Sequence, residues 1–589
     1  MCSNTLILKQ MKKIFQINSS CNRGSTGRIA EQIGRAAQER GYECYIAYGR
    51  YYQPSGLKAI KMGNKFTNAI HGISSRLFDN HGLMSTGPTK ELVRQMKEIK
   101  PDIVHLHNIH GYFLNYKVLF EYLASAHIPV VWTLHDCWPF TGHCAYFDFA
   151  GCNLWETGCH APCPCKKGYP ESIMIDASKK NYELKKQLFT SVENLTLVPV
   201  SEWLGGLVSK SYLGKYPVKV IHNGIDVDKF KPQEDTDELK KRLGIAEKYV
   251  LLGVASAWDG RKGLKDYIKL AERLPEDTII ILVGLTKEQI SILPDNIIGI
   301  ECTEDQRELA LYYSTADIVL NLSYEETFGM TTVEGLGCGT PSIVYNKTAS
   351  PELAAEEICT VVEAGDTVKI MDAIKAIRTS NPIDISRKCR ERALEKYDKV
   401  KAYEAYMQLY SALTGGGKLS EVHIVLGVAA IWEPRKGFDD FLKLRKELPD
   451  YYIIVLVGVN AEQKKMLPEG MIGVEHTESL DELVKLYSSA DVFVNTTYED
   501  NFPTTNLEAL ACGTPVITYR TGGSVEAVFE GTGSVVEQGD ILGLKKEVER
   551  LCSKDRTIMK SECRQRALEN FKAEERFEDY VNLYDSLLN

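Results

Sequence analysis

Two stretches of the chain repeat each other at a fixed distance, and that repetition limits the architecture more than any other feature. Val254 to Gly263 reads VASAWDGRKG, and Val428 to Gly437 reads VAAIWEPRKG. Lys262 and Lys436 stand 174 positions apart, as do Glu334 and Glu508, Gly365 and Gly539, Cys389 and Cys563, and Tyr410 and Tyr584. An offset that never changes means that a block of roughly 170 residues was duplicated without a gap. Apolar, strand-sized runs alternate with amphipathic helical stretches throughout. That alternation predicts α/β domains of the doubly wound, Rossmann-like kind, with parallel sheets covered by helices on both faces.

Three domains follow. Residues 11–222 form a unique N-terminal domain with a Cys-rich loop at 137–169, and residues 223–413 form the first copy. A Gly-rich joint at 414–420 leads to the second copy at 421–589. A length of 589 residues agrees with several cores. The net charge of -9 gives no support to a nucleic-acid partner. The longest apolar runs, such as Ile279 to Leu285, are too short to span a bilayer. Between Met1 and Lys13 only Leu6 to Leu8 is apolar, which reads as no secretory signal. With that reading, 16 cysteines imply reduced thiols and a cytoplasmic protein.

Three segments could carry chemistry. Asn22 to Arg28, NRGSTGR, lies between the first strand and the first helix, where Gly24, Ser25, Thr26 and Gly27 let backbone amides approach an anion. A tight turn with nothing bound would read the same way. Tyr324 to Pro341, YEETFGMTTVEGLGCGTP, places Glu326 before a helix and Glu334 inside it. Gly329, Met330, Thr331 and Thr332 open that helix and offer free amides to a diphosphate. Arg261 and Lys262, followed by a glycine, suit a departing diphosphate, although an isolated Arg-Lys pair is usually surface charge.

Together these segments resemble the family-4 retaining glycosyltransferases of the GT-B fold, in particular the branch that builds capsular and exopolysaccharides such as colanic acid. HLHNIHGYFLN (105–115), WTLHDCWPFTGHCAYFD (132–148) and HNGID (222–226) also match. The resemblance implies a hexosyltransferase using a UDP- or GDP-sugar, with a glycan or lipid-linked acceptor in cell-surface polysaccharide synthesis. The N-terminal domain would then face the acceptor, and the first C-terminal domain would hold the donor. Glu326, His107 and Lys262 would be catalytic, with Glu326 against the donor sugar and Glu334 on the ribose. Lys262 and Arg261 would neutralise the diphosphate with the amides of Gly329 to Thr332, and Gly24 to Gly27 would close from the opposite lobe. No divalent metal is implied. The helix through Tyr410 resembles the family's final helix, which returns to the N-terminal lobe.

The chain also departs from the pattern. Ser256 stands where many members have an arginine, with Ala430 at that place in the second copy. The second copy keeps Arg435, Lys436, Asp500 and Glu508 in the corresponding places, so neither copy is plainly inactive. A regulatory, non-catalytic nucleotide-sugar-binding module is the alternative. Cys144, Cys152, Cys159 and Cys163 suggest a structural zinc, with free thiols as the other reading. A homodimer and a peripheral contact with the inner face of the plasma membrane complete the expectations. The membrane contact rests only on the pairs Lys179-Lys180 and Lys185-Lys186, since no strongly basic amphipathic helix stands out.

Overall fold

The computed structural model of the chain describes residues 11–588 apart from 356, 415–422, 450, 529–530 and 555. The Leu6 to Leu8 patch lies outside the described residues, as does the Gly-rich joint except for Thr414. The chain divides into two compact units, Met1–Gly416 and Gly417–Asn589.

The first unit holds two parallel six-stranded sheets. In the N-terminal sheet β1 (Lys13–Asn18), β2 (Glu43–Tyr48), β3 (Lys58–Lys61), β4 (Ile103–Leu106), β5 (Val130–Leu134) and β6 (Leu195–Pro199) run in the order β3-β2-β1-β4-β5-β6. Helix α1 (Gly24–Glu39) joins β1 to β2, and α2 (Lys65–Phe78) follows β3. In the second sheet β7 (Tyr249–Val254), β8 (Thr278–Val283), β9 (Ile297–Ile300), β10 (Ile318–Asn321), β11 (Ser342–Tyr345) and β12 (Cys359–Val362) take the order β12-β11-β10-β7-β8-β9. Strands such as TIIILV (β8) are buried at every position, as strands covered on both faces must be. Each sheet reverses its winding once, between β1 and β4 and between β7 and β10. Crevices open there at the carboxyl ends of the strands.

Two features join the lobes of this unit. The connecting segment docks on the second sheet's domain: Ile225 donates to the Tyr397 carbonyl at 2.7 Å, and Arg390 donates to the carbonyls of Val227 and Phe230. It crosses α3 (Met330–Gly337) at Gly337, where a Cβ would meet Ile225 Cδ1 at 2.7 Å and the Phe230 carbonyl oxygen at 2.9 Å. Helix α4 (Lys399–Leu413) then returns to the N-terminal sheet and buries Tyr403, Tyr406, Met407 and Tyr410 against Ile14, Ala30 and Ile33. The Tyr410 hydroxyl bonds His105 Nδ1 at 2.6 Å, and that of Tyr406 bonds Thr133 at 2.9 Å.

The second unit repeats the second sheet. It contains β13 (His423–Val428), β14 (Tyr452–Val457), β15 (Met471–Val474), β16 (Val492–Asn495), β17 (Val516–Tyr519) and β18 (Gly533–Val536), in the order β15-β14-β13-β16-β17-β18. Tyr249 pairs with Thr278 in the first unit and His423 with Tyr452 in the second, so the constant offset extends to strand register. Its helix α5 (Thr504–Ala511) corresponds to α3, and α6 (Ala573–Leu588) to α4. On α6 the matching side chains Phe577, Tyr580 and Tyr584 are exposed.

Candidate active site

The ends of β7 and β10 bring together most of the residues singled out from sequence. After β7 the chain passes exposed Ser256 and forms a single turn over Gly260–Lys262, capped by the Asp259 carboxylate. Lys262 Nζ from that turn contacts Glu326 Oε1, from the loop after β10. The Glu326 backbone is fixed in turn: its N–H donates to Thr348 Oγ1 at 2.8 Å, and its carbonyl accepts from the Ala349 N–H. Gly329 precedes α3 with φ +101°, a left-handed conformation that lets the chain turn sharply into the helix. No side chain caps α3, so the amides of Met330 and Thr331 remain available, whereas the Thr332 N–H donates to the Gly329 carbonyl at 3.1 Å. Glu334 accepts from the Tyr313 hydroxyl at 2.9 Å. Burial pushes its carboxyl up to about 7, opposed by the Tyr313 bond and by the positive charge of Arg28.

Arg28, from the opposite lobe, is the cation whose charge is felt at Glu334. Arg28 belongs to the first turns of α1, which Gly24 opens with φ +72°, and no side chain caps α1 either. Gly27 packs so closely that a Cβ would lie 2.8 Å from Ser20 Oγ. Two uncapped helix starts, Lys262 and Arg261 thus surround the crevice, an arrangement that stabilises an anion.

His107 is placed differently. It is buried, with Nε2 2.9 Å from Gln16 Oε1 and Nδ1 3.3 Å from His135 Nε2, and burial holds its ring well below the usual imidazole range. His110 pairs with Asp136 at 2.7 Å and with the Tyr169 hydroxyl at 3.1 Å.

Several participants were not legible as such. Glu325, beside Glu326, is 1% exposed and takes three backbone N–H bonds from the other lobe: Phe147 at 2.8 Å, Asp148 at 3.0 Å and Phe149 at 3.2 Å. Burial raises its carboxyl, and the three amides with Arg261 oppose that rise. The same loop lays Tyr146 under the Arg261 guanidinium, 3.8 Å from the ring centre, and Phe149 beside Tyr324. The loop from 137 to 169 therefore packs over Glu325, Arg261 and Tyr324.

Among the described residues no three His, Cys, Asp or Glu side chains are gathered to hold a metal. Of the expected zinc ligands, Cys144 and Cys159 are buried and Cys152 and Cys163 partly so. Cys159 Sγ accepts from the Gly142 N–H, and the Cys165 thiol has Cys144 and Cys163 as neighbours. Buried Lys185 ties the loop down. Its Nζ donates to the carbonyls of Trp138 at 2.9 Å and Thr141 at 3.1 Å, and burial pulls it down to about 7. That placement removes Lys185 from any surface role.

The second unit repeats the geometry with two changes. Lys436 Nζ lies 2.7 Å from Asp500 Oδ2, the Tyr487 hydroxyl lies 3.0 Å from Glu508, and Arg435 pairs with Glu433. Asp500 is one methylene shorter than Glu326. Pro503 replaces Gly329 with φ -72°, so one amide of the cradle is missing.

Comparison with known proteins agrees with this geometry. Residues 26–229 match the family described as Glycosyltransferase Family 4, while 235–396 and 422–554 match two families described as Glycosyl transferases group 1. A protein named as the colanic acid biosynthesis glycosyl transferase WcaC, of Escherichia coli (strain K12), is 25% identical over 389 residues, spanning 63% of this chain and 90% of that protein. A processive diacylglycerol alpha-glucosyltransferase of Acholeplasma laidlawii is 32% identical over 148 residues, or 23% of this chain and 44% of that protein. Among solved structures, sucrose-phosphate synthase from Thermosynechococcus elongatus superposes with TM-score 0.50 at 16% identity, over 68% of this chain and 99% of that chain, a likeness of fold. The chain belongs to the family-4, group-1 glycosyltransferases and carries their GT-B fold.

Proposed function

We propose that the first unit transfers a hexosyl group from a UDP- or GDP-sugar, with retention, to a glycan or lipid-linked acceptor in cell-surface polysaccharide synthesis. The observation that carries this reading is the Lys262–Glu326 pair set between two uncapped helix starts. The names of the colanic acid and diacylglycerol relatives support the substrate class. The diphosphate lies along the amides of α3, with Lys262 and Arg261 taking up charge as the bond from the anomeric carbon to phosphate oxygen breaks. The acceptor oxygen attacks the same face of that carbon, and its proton passes to the leaving diphosphate. Glu326 orients the sugar hydroxyls, and Glu334 holds the ribose. Fixed cations and helix amides supply the positive charge, so turnover persists in a chelator.

The test is donor-dependent release of nucleoside diphosphate that requires an acceptor. Release absent with every UDP- and GDP-hexose in the presence of relevant acceptors would end this reading. The second unit, with its proline-interrupted cradle, favours a second role for that unit alone: nucleotide-sugar binding without turnover.

A further inference from the structure

The second unit keeps a groove that the first unit fills. In the first unit the connecting segment lies against α3 and the helix Pro382–Lys396, with Ile225 and Phe230 buried. Arg390 holds it through the carbonyls of Val227 and Phe230, and Ile225 forms a parallel bridge with Asp398. The same walls recur in α5 and the helix Arg556–Asn570, where Leu507, Ala511, Arg564, Leu568 and Phe571 line an open groove. Arg564 donates to the Ala511 carbonyl, as Arg390 does to that of Gly337, but among the described residues nothing supplies the other two carbonyls. The duplicated block brought no such segment with it. At the constant offset the places of Ile225 and Phe230 fall on Lys399 and Glu404, which belong to α4.

Helix α6, which follows directly on this groove, lacks the same neighbour. On α4 the side chains of Tyr403, Tyr406, Met407 and Tyr410 are buried on the N-terminal lobe. At their places α6 carries Phe577, Tyr580, Val581 and Tyr584, and none of its side chains is buried. Tyr584 is 59% exposed where Tyr410 is 0% exposed. The spacing keeps all four on one face, and a lone helix of 16 residues is marginal in water unless such a face is packed. In the first unit a single body, the N-terminal lobe with its exit segment, covers both surfaces. An aromatic face and an adjoining apolar groove left open together mark a protein-docking site.

The details exclude this chain's own lobe as the occupant. That lobe already engages α4 and the groove of the first unit. A second copy would bring a second unit of its own, so copies of this chain always leave half of these surfaces uncovered. Ala511 also places a Cβ where, at Gly337, one would press on Ile225 and on the Phe230 carbonyl oxygen, so this exit segment does not fit the second groove as it fits the first. Charge differs too: Glu574, Glu575 and Asp579 stand where α4 has Val400, Lys401 and Ala405. The partner therefore presents a basic rim and a smaller residue in place of Ile225.

We propose that the second unit docks an N-terminal-type, parallel-sheet lobe belonging to a different polypeptide, whose exit segment enters the groove beside Arg564 and whose sheet covers the Tyr580 and Tyr584 face of α6. Docked in this way, the lobe closes a second crevice over Lys436, Asp500 and Glu508. The docking goes beyond the transferase reading and is measured without turnover, so its failure leaves that reading standing.

A photoactivatable phenylalanine analogue in place of Tyr584 of the full chain is crosslinked in the source cells, and the adduct is identified by mass spectrometry. The expected adduct is a different polypeptide that carries an N-terminal-type lobe. Its yield should fall about tenfold in Arg564→Ala and in Tyr580→Asp, each with an unchanged melting temperature. A crosslink to this chain's own N-terminal lobe, from the same or another copy, overturns the proposal. So does an adduct with an unrelated protein, no adduct, or an adduct that Arg564→Ala leaves undiminished. A labelled peptide of residues 221–232, the first unit's exit segment, tests the groove by itself. Because the first groove is filled, binding to the full chain reads the second. Ala511→Gly should bind the peptide about tenfold more tightly than wild type, and Ala511→Gly/Arg564→Ala should return it to the wild-type level. Equal binding by wild type and Ala511→Gly would show that the groove does not take an exit segment and overturns the proposal as well.

Discussion

Lys262 and Glu326 meet across the ends of β7 and β10, and Lys436 and Asp500 meet in the same way in the second unit. In each case the cation comes from the single turn after the first strand and the acid from the loop after the fourth. Only in the first unit does a glycine, Gly329, open the following helix with its N–H intact. In the second, Pro503 removes that donor. Duplication preserved the charge pair while the anion cradle beside it changed.

Catalysis should therefore depend on one copy. Lys262→Ala and Glu326→Ala are each expected to lower kcat by about 10²–10³-fold. Lys436→Ala and Glu508→Ala should leave it within about twofold, since their site lacks the amide that Pro503 cannot supply. Rates of nucleoside diphosphate release on the full chain measure all four. Loss of activity on changing Glu508 with retention on changing Glu326 would assign the reaction to the second unit.

The repeat made much of this readable. A constant offset in sequence became a constant offset in strand register, and the acids and cations fell at strand ends as their neighbours implied. What escaped was non-local. Glu325 looks like a spare acid beside Glu326, and its three amide partners lie 176 to 178 residues earlier. His107 is singled out only by the resemblance, and its contacts with Gln16 and His135 follow from packing.

Gly337 should be irreplaceable although it lies inside a helix. Alanine is ordinarily better there by about 1 kcal/mol, and the second copy has Ala511. In the first copy the connecting segment crosses at that point, so a Cβ would press on Ile225 and on the Phe230 carbonyl oxygen. Backbone cannot swing aside as a side chain can. Gly337→Ala is expected to destabilise by about 1–3 kcal/mol, seen as a lower melting temperature, whereas Ala511→Gly should lose only about 1 kcal/mol.

Glu334 should leave a signature in stability against pH. Its carboxyl stands at about 7 against an ordinary 4.5, so the folded chain keeps a proton that the unfolded chain releases. Stability from this group is complete below the ordinary value and is lost as pH rises through the folded one, at about 1.4 kcal/mol for each unit of difference. Glu334→Gln should flatten the fall in denaturant-measured stability between those two values and leave the curve unchanged on either side. A wild-type curve already flat in that window would contradict the placement of Glu334 in a desolvated site.

Glu325 should matter through the loop it holds. Its carboxylate satisfies the amides of Phe147, Asp148 and Phe149, and the same loop sets Tyr146 against Arg261. Glu325→Ala leaves three donors without their acceptor, an effect of about 1–3 kcal/mol for each one that stays buried and unpaired. Because the loop can open and let water reach those amides, the loss in global stability should lie near the low end of that range for the whole site. The opening itself should show as faster hydrogen exchange at Phe147 to Phe149. With Tyr146 gone from its face, Arg261 is held by Asp259 alone, so KM for the donor should rise more than kcat falls. Glu499, the exposed counterpart in the second unit, should be replaceable by alanine without any of these changes. Unchanged exchange at the three amides in Glu325→Ala would show that the loop stays closed without the carboxylate.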